Sequence, residues 1–291
     1  MLSISIAGVM RDKLITVNSL SGGKTSSYIA ANYPADYNIF ALVRTNDKSC
    51  LFPDKKLRQI VSDKIGIEFI GTLEDDKIIY TMLDLEQYIG SKIDWVAADA
   101  FEDIISKKGN YIPNKVSRYC TTELKIRPIQ KYWLDNFNDA VEMRIGFRAN
   151  EQSRAKNMIS KLNEDGFTED KIIVGSKNNR NIWKLKAWRK PTFPLITDGI
   201  FKDTITEYWI DKPVRFAELN NCTGCFWRNP LLLKKMYDTH TNKLDWFAEQ
   251  EVKCKGTWRS DIAYYDIKKA FSQIELSFDD FDECDSGYCG Y

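Results

Sequence analysis

A glycine-rich segment is the part of the sequence best suited to binding an anion. Residues 18–27 read Asn-Ser-Leu-Ser-Gly-Gly-Lys-Thr-Ser-Ser and lie between a predicted strand and a predicted helix. Adjacent glycines let the backbone approach an anion closely, and the following helix offers unpaired N–H groups and the positive end of its dipole. Hydroxyl groups and one ammonium group add donors. The segment therefore predicts a phosphate-binding turn formed by Ser21, Gly22, Gly23, Lys24, Thr25 and Ser26.

Two nucleotide-binding patterns compete for this turn. The Walker pattern GxxxxGK[ST] needs a glycine at position 18, where this chain has Asn18. No apolar strand ending in aspartate follows at the distance that a Walker-type protein would require. The pattern SGGxxS, placed directly after the first strand, fits residues 21–26 without a mismatch. A Walker-type NTPase is kept as an alternative.

Basic residues at a predicted strand end form a second candidate anion site. Arg148 and Arg154 follow the predicted strand at residues 141–147. Ligands of open α/β sheets bind outside the carboxyl ends of the strands, and guanidinium groups suit phosphate or sulfate oxygens there. Arg118 and Lys125 are further candidates, although Lys125 is equally well interpreted as a lysine on a helix surface.

The cysteines indicate metal, cluster or redox chemistry. There are seven, at positions 50, 120, 222, 225, 254, 284 and 289. An odd number without a predicted secretion signal is typical of a reducing compartment and predicts a cytoplasmic protein. Cys222 and Cys225 have the spacing of a chelating pair, which suits zinc, an iron–sulfur cluster or a redox dithiol. The single histidine, His240, excludes a His-rich zinc site and is interpreted as a packed or surface residue.

Strand and helix patterns alternate over the first half of the chain. Predicted strands cover residues 14–17, 38–43, 67–70 and 141–147, and predicted helices cover residues 26–32, 53–65, 76–89 and 125–137. Pro53 stands at a favoured helix start, while Gly66 and Gly90 are helix stops. Such alternation predicts an α/β fold with a doubly wound, mostly parallel sheet.

The second half of the chain has a different pattern. Polar residues at 161–171 and 175–181 predict exposed loops. We divide the chain into a nucleotide-binding domain, residues 1–215, and a small cysteine-bearing subdomain with an acidic, flexible tail, residues 216–291. The formal net charge of +1 argues against a polybasic protein whose affinity comes from bulk charge. No run of apolar residues is long enough for a transmembrane helix, so no membrane partner is expected.

Four segments together carry a resemblance to a known family. The turn at residues 21–26 resembles the PP-loop of the adenine-nucleotide α-hydrolases. Residues 118–128, RYCTTELKIRP, are similar to R-x-C-T-x-x-L-K-x-x-P, and residues 145–154, IGFRANEQSR, are similar to a strand-ending G-x-R-x-x-E-x-x-R. Pro194-Leu195 is followed by the Cys222-x-x-Cys225 pair. In this order the segments resemble the phosphoadenosine phosphosulfate (PAPS) reductase family, including its phage-borne and DNA-phosphorothioation relatives.

This resemblance implies a PP-loop enzyme that binds ATP or an adenylyl sulfate nucleotide with Mg²⁺. Arg148, Glu151 and Arg154 would orient phosphate, sulfate or magnesium, with Lys125 as a further ligand residue. The implied chemistry is adenylation-dependent sulfur transfer, with nucleic acid as one acceptor, or reduction of an adenylylated sulfate. A sulfur-donor or electron-donor protein would be the partner. Lys24 is predicted to act in the reaction, and Cys284 or Cys289 is the candidate nucleophile on the tail.

The same resemblance places Cys120 near the Cys222-x-x-Cys225 pair and implies a [4Fe–4S] cluster, with zinc or free thiols as alternatives. Cys254, Cys284, Cys289 or a non-protein ligand would complete the coordination. The chain departs from the family at Thr25, where aspartate is common, and at Thr121, where iron–sulfur members have a second cysteine. It also lacks a histidine in the tail. A non-catalytic nucleic-acid-binding or protein-binding module is therefore a third hypothesis.

Overall fold

A six-stranded sheet forms the centre of the computed structural model, which describes residues 13–178, 180–219 and 222–269. The strands, in chain order, are β1 (Thr16–Leu20), β2 (Tyr37–Leu42), β3 (Arg44–Thr45), β4 (Gly71–Thr72), β5 (Ile93–Ala97), β6 (Val141–Arg144), β7 (Thr168–Lys177) and β8 (Arg180–Thr192). The sheet order is β5-β2-β1-β6-β8-β7, and β3 pairs separately with β4. Only β7 runs antiparallel to its neighbour in the large sheet. The α/β class with a mostly parallel sheet is therefore confirmed.

Helices follow most of the parallel strands. In chain order they are α1 (Lys24–Asn32), α2 (Lys55–Ile65), α3 (Lys77–Ile89), α4 (Phe101–Lys107), α5 (Tyr119–Thr121), α6 (Arg127–Asn136), α7 (Gln152–Ile159), α8 (Pro194–Thr197), α9 (Lys202–Tyr208), α10 (Pro230–Thr239), α11 (Thr241–Cys254) and α12 (Tyr264–Lys269). A π-helical stretch, Thr122–Ile126, joins α5 to α6, and a short 3₁₀ helix covers Lys48–Cys50. No helix in the described ranges is long and apolar enough to cross a membrane.

Helices cover both faces of the sheet. Successive side chains of a strand point to opposite faces, so one strand packs against both helix layers. Phe40 and Leu42 of β2 pack into a cluster with residues of α1, α3 and α9. Ile39 and Ala41 of the same strand pack into another cluster with residues of α6 and α7. Strands that are buried on both faces are nearly continuous apolar runs, as β2 is. This arrangement is compatible with the predicted doubly wound fold.

A third hydrophobic cluster joins the C-terminal helices to the rest of the molecule. Trp246, Phe247 and Trp258 pack there with Phe101 of α4 and with Leu124 of the π-helical stretch. Residues on both sides of the predicted boundary at residue 215 therefore share one core. The division into two domains stays a prediction.

The structure differs from the sequence-based expectation at residues 67–70, at residues 161–181 and at β5, which the sequence did not predict. The predicted strand at residues 67–70 is absent, and the short strand Gly71–Thr72 follows instead. In that run the Phe69 side chain is buried and its N–H donates to Ser62 Oγ of α2 (2.9 Å), so packing against a helix replaces strand pairing. The loop expected at 161–171 is present over residues 161–167, but residues 168–171 belong to β7, and most of the loop expected at 175–181 lies in the hairpin of β7 and β8. The predicted flexible tail lies outside the described residues.

Candidate functional site

The glycine-rich turn lies at the point where the strand order of the sheet reverses. β1 has β2 on one side and β6 on the other, both parallel to it. In open α/β sheets the crevice at such a point, outside the carboxyl ends of the strands, is where ligands bind. The end of β6 approaches the turn closely, since a Cβ atom added at Gly146 would lie 3.4 Å from Thr25 Cγ2.

The turn has a defined internal geometry. Gly22 has a φ of +82°, and a Cβ atom at this position would lie 2.5 Å from Ile78 Cγ2 of α3. Only glycine fits both conditions without strain. Ser26 Oγ accepts the Ser21 N–H (3.1 Å), donates to the Gly23 carbonyl (3.2 Å) and lies 3.1 Å from Ser21 Oγ. These contacts hold the backbone in one conformation.

The amino-terminal end of α1 carries no side-chain cap. Its N-cap residue is Gly23, so the first-turn N–H groups find no side-chain acceptor at the cap residue. The contrast is α2, where the Asp54 side chain accepts hydrogen bonds from the N–H groups of Lys56 and Leu57. The first N–H groups of a helix lack intrahelical partners, and together with the helix dipole they favour an anion. An external anion suits the start of α1 and not that of α2.

A cleft of about 430 Å³ adjoins this helix end. It is lined by Lys24 and Thr25 of the turn and by Lys202, Thr206 and Trp209, which recur at helical spacing along and just after α9. Trp209 Nε1 donates to the Lys24 carbonyl oxygen at 3.0 Å and fixes α9 against the turn. A cleft of this volume lies in the range of small-molecule sites. The sequence did not indicate Lys202, Thr206 or Trp209 as site residues.

The strand-end residues form one ion-pair group. The Arg148 side chain is buried, and its Nε and its backbone N–H both donate to Glu151 Oε2, at 3.1 and 2.9 Å. Arg154 Nη1 pairs with the other oxygen, Glu151 Oε1. The Arg154 guanidinium also lies over the Phe147 ring, 4.4 Å from its centroid. The structure thus brings the three predicted residues together, with Glu151 orienting both arginines.

Three cysteines line a second, smaller cavity of about 50 Å³, which we call the cysteine cavity. Cys120, Cys222 and Cys225 face it together with Arg118 and Lys125. Val43, directly after β2, also lines this cavity, so it lies at the same carboxyl edge of the sheet as the turn.

The loop that carries the cysteine pair is held from both sides. The Thr223 N–H and Oγ1 both donate to the Leu73 carbonyl, at 2.8 and 3.0 Å. Gly224 leaves no room for a side chain, because a Cβ atom there would lie 2.3 Å from Phe247 Cδ2. The Cys225 N–H donates to the Cys222 carbonyl at 3.0 Å, which closes a tight turn between the two thiols.

Burial controls the protonation of these thiols. It raises the pKa of Cys120 to about 11, with a further increase from Cys225 and an opposing effect of the Arg118 guanidinium. The pKa of Cys222 is raised well above its ordinary value by burial and by the Glu74 carboxylate, while Lys125 opposes the shift. Thiols in this state bind metals only after losing a proton.

Two guanidinium groups act on each other beside the cavity. Burial lowers the pKa of Arg118, and the positive charge of Arg154 lowers it further. The charge of Arg118 therefore interacts both with the thiols of the cysteine cavity and with Arg154 of the strand-end group. An anion placed near both would relieve their repulsion.

Glu74 is a site residue that the sequence did not reveal. Its side chain is fully buried, and its Oε1 accepts a hydrogen bond from Lys125 Nζ at 2.8 Å. Glu74 also forms an isolated β-bridge with Cys222. Burial alone would lower the pKa of Lys125, but the Glu74 carboxylate raises it on balance. The pair is formed by residues 51 positions apart, and the isolated EDD motif at 74–76 gives no local signal for it.

The remaining candidates lie apart from these groups. Cys254 ends α11 and is not among the residues that line the cysteine cavity. Cys284 and Cys289 lie outside the described residues. His240 Nε2 lies 3.3 Å from Asp75 Oδ2, in keeping with the interpretation as a packed residue. Within the described part of the chain, no three His, Cys, Asp or Glu side chains are arranged as a metal-binding group.

The candidate site thus has three parts at one edge of the sheet: the turn, the strand-end group and the cysteine cavity. These parts hold the donors for anions and the thiols for sulfur or metal chemistry. No protein-family model, no curated protein and no solved structure matches the chain.

Proposed function

We propose that this protein is a PP-loop enzyme of the PAPS reductase type, which binds ATP or an adenylyl nucleotide and carries out sulfur chemistry. The observation that carries the proposal is the common position of the three parts of the site. An anion-binding turn, an arginine group and a three-thiol cavity lie at the carboxyl edge of one parallel sheet. Sulfur chemistry on an adenylyl nucleotide needs anion-binding groups and thiols beside each other.

The turn is assigned to the phosphates of the nucleotide. The N–H groups of Gly22 and Gly23 and of the first turn of α1 would hold the phosphate oxygens, and Lys24 would supply a positive charge. Magnesium would offset the remaining charge. Arg148 and Arg154, oriented by Glu151, would hold a phosphate or sulfate group. Fixed donors of this kind stabilise charge that develops on a transferring group.

The thiols are assigned to the sulfur step. Cys120, Cys222 and Cys225 have the side-chain chemistry that zinc and iron–sulfur clusters bind, and they line one cavity, but they are not arranged as a metal-binding group in the described residues. If they moved together around a metal or cluster, three thiolates would leave one coordination position open. A bound [4Fe–4S] cluster would supply an iron atom that can take a sulfur ligand there. Arg118 would attract an anionic substrate to this side, and Lys125 would limit the rise in the pKa of Cys222. Cys254, Cys284 and Cys289 remain candidate fourth ligands or, for the last two, nucleophiles.

The Walker-type alternative fits the turn less well. Asn18, at the position of the first Walker glycine, lies inside β1 and donates to Asn38 Oδ1 of β2 at 3.0 Å. Only residues 21–23 separate β1 from α1, whereas the Walker pattern needs a longer phosphate-binding loop. The short turn favours the PP-loop.

Product analysis with MgATP tests the nucleotide chemistry. A PP-loop enzyme releases AMP and pyrophosphate when it adenylates its substrate, and a Walker-type hydrolase releases ADP and phosphate. Cell extracts depleted of nucleotides would supply the acceptor in this assay. Formation of ADP and phosphate that is lost in Lys24→Met would contradict the proposal. Nucleotide binding without turnover would favour a non-catalytic module.

Anaerobic purification tests the role of the thiols. Iron, sulfide and zinc are measured in the wild-type protein and in Cys222→Ala, with Cys50→Ala as a matched control, because Cys50 is buried outside the cysteine cavity. We expect bound iron and sulfide, or zinc, in the wild type and in the control but not in Cys222→Ala. Metal content that survives Cys222→Ala would contradict the assignment.

A further inference from the structure

The β7–β8 hairpin extends past the edge of the sheet away from the candidate site. β8 pairs with β6 only over Arg189–Thr192, although β8 begins at Arg180. The nine preceding residues therefore run past the amino-terminal end of β6, over roughly 30 Å at the usual rise per residue. The base of this extension packs on the protein, with Ile172 buried and Lys186 Nζ 4.7 Å from the centroid of the Trp133 ring.

The outer part of the hairpin is exposed on both faces. Every side chain described between Ile173 and Leu185 is exposed. Four of these side chains are large and apolar, with exposed fractions of 50% for Ile173, 45% for Ile182, 57% for Trp183 and 56% for Leu185. A two-stranded ribbon is only marginally stable alone in water, and such an apolar surface is typical of a binding site.

The charge of the hairpin indicates what kind of partner would cover it. Residues 168–192 contain seven basic and two acidic side chains, a net charge of +5, whereas the whole chain carries +1. The remainder of the protein is therefore net negative. In the exposed part, Lys177, Arg180 and Lys184 are unaccompanied by any acidic residue in the sequence. This concentration of positive charge favours a polyanion.

The register of the hairpin places an aromatic ring on one face and the three basic side chains on the other. Trp183 pairs with Ile173, and Leu185 pairs with Lys171, so these four side chains lie on one face. On the other face Lys184 lies opposite Ile172, and Arg180 lies opposite Lys177. Proteins that bind single-stranded nucleic acids combine exposed aromatic rings, on which bases stack, with basic side chains along the phosphate backbone.

We propose that a single-stranded nucleic acid wraps around the β7–β8 hairpin, with a base stacked on Trp183 on one face and phosphates held by Lys177, Arg180 and Lys184 on the other. This binding is independent of the chemistry proposed above, because the hairpin projects from the opposite edge of the sheet and needs neither nucleotide nor metal. The hairpin would hold the nucleic acid at the sheet edge opposite the candidate site.

The test is the binding of a fluorescently labelled, mixed-sequence single-stranded DNA of 20 nucleotides, measured by anisotropy at several salt concentrations. The test variant is Lys177→Glu/Arg180→Glu/Lys184→Glu. The matched control is Lys48→Glu/Lys55→Glu/Lys56→Glu, which reverses three exposed charges elsewhere and changes the net charge by the same amount. We expect a loss of more than tenfold in the test variant and a change of less than threefold in the control.

A second variant separates stacking from charge. Trp183→Ala keeps every charge and is expected to weaken binding by about tenfold, with an unchanged slope of affinity against salt. Circular dichroism and thermal unfolding of all variants are expected to match the wild type, because the substituted side chains are exposed. Binding by Lys24→Met is expected to equal that of the wild type, which distinguishes this proposal from the nucleotide site.

Several results would overturn the proposal. They are absence of binding at low salt, equal losses in the two triple variants, and tighter binding to duplex DNA than to the single strand. Binding to vesicles of anionic lipid with no binding to DNA would assign the hairpin to a membrane surface instead. A dimer that the test variant converts to a monomer, without DNA binding, would assign β7 to pairing between two copies.

Discussion

Removal of the Lys125 ammonium is expected to destabilise the protein strongly, because it isolates a charge inside the molecule. Glu74 is fully buried, and the side chain of Lys125 is 15% exposed, with 2.8 Å between the paired atoms. Removing one partner of a buried ion pair costs about 3–5 kcal/mol. We therefore expect Lys125→Met to lower the free energy of unfolding by about 3–5 kcal/mol at pH 7.

The pH dependence of this loss follows from the same carboxylate. A carboxylate left without its partner inside the protein is neutralised by taking up a proton, so the difference between Lys125→Met and the wild type is expected to shrink as the pH falls. Urea unfolding at pH 7 and pH 5 measures both differences. Lys131→Met, which removes an exposed lysine of α6, is the control and is expected to lie within about 0.5 kcal/mol of the wild type.

The double variant Glu74→Gln/Lys125→Met completes the cycle. It removes both charges, so it is expected to be more stable than Lys125→Met alone. A loss below about 1 kcal/mol in Lys125→Met at pH 7 would refute the reasoning. So would a double variant that is no more stable than the single one, because then the isolated carboxylate is not the cause of the loss.

Two further predictions concern the turn and the thiols. Gly22→Ala is expected to lower the free energy of unfolding in urea by about 2–5 kcal/mol, because of the positive φ and the contact with Ile78. Gly66→Ala has a φ of +73° and open space around it, and is expected to lower it by only about 1–2 kcal/mol. Equal losses in the two variants would contradict the close contact at Gly22. Zinc binding at Cys120 and Cys222 is expected to strengthen from pH 6 to pH 8 and to release protons, because burial keeps both thiols protonated. Titration calorimetry in buffers of different ionisation enthalpy measures the released protons, and an affinity independent of pH would contradict this prediction.

The sequence predicts the features of the fold that depend on neighbouring residues. Gly66 and Gly90 end α2 and α3 in the left-handed conformation, as expected from their positions. The turn at residues 21–26 joins a strand to a helix, since the glycines and hydroxyl residues that form it are consecutive. Such local signals do not need knowledge of the tertiary structure.

Features that depend on distant contacts could not be predicted in this way. The polar residues of β7 and β8 indicated loops because a ribbon exposed on both faces shows no alternation of apolar and polar residues. β5 also escaped notice, although its apolar residues Ile93 and Trp95 alternate with partly exposed ones. The Glu74–Lys125 pair is formed only after the chain has folded.

Equilibrium binding of MgATP to the purified protein tests the central claim most directly. Lys24→Met removes the lysine at the start of α1, and Lys55→Met is its matched control, because Lys55 holds the same position in α2, where Asp54 already caps the helix. The account predicts that the wild type and Lys55→Met bind MgATP equally and that Lys24→Met binds at least tenfold more weakly. Absence of MgATP binding in the wild type, or equal binding by all three proteins, would contradict it.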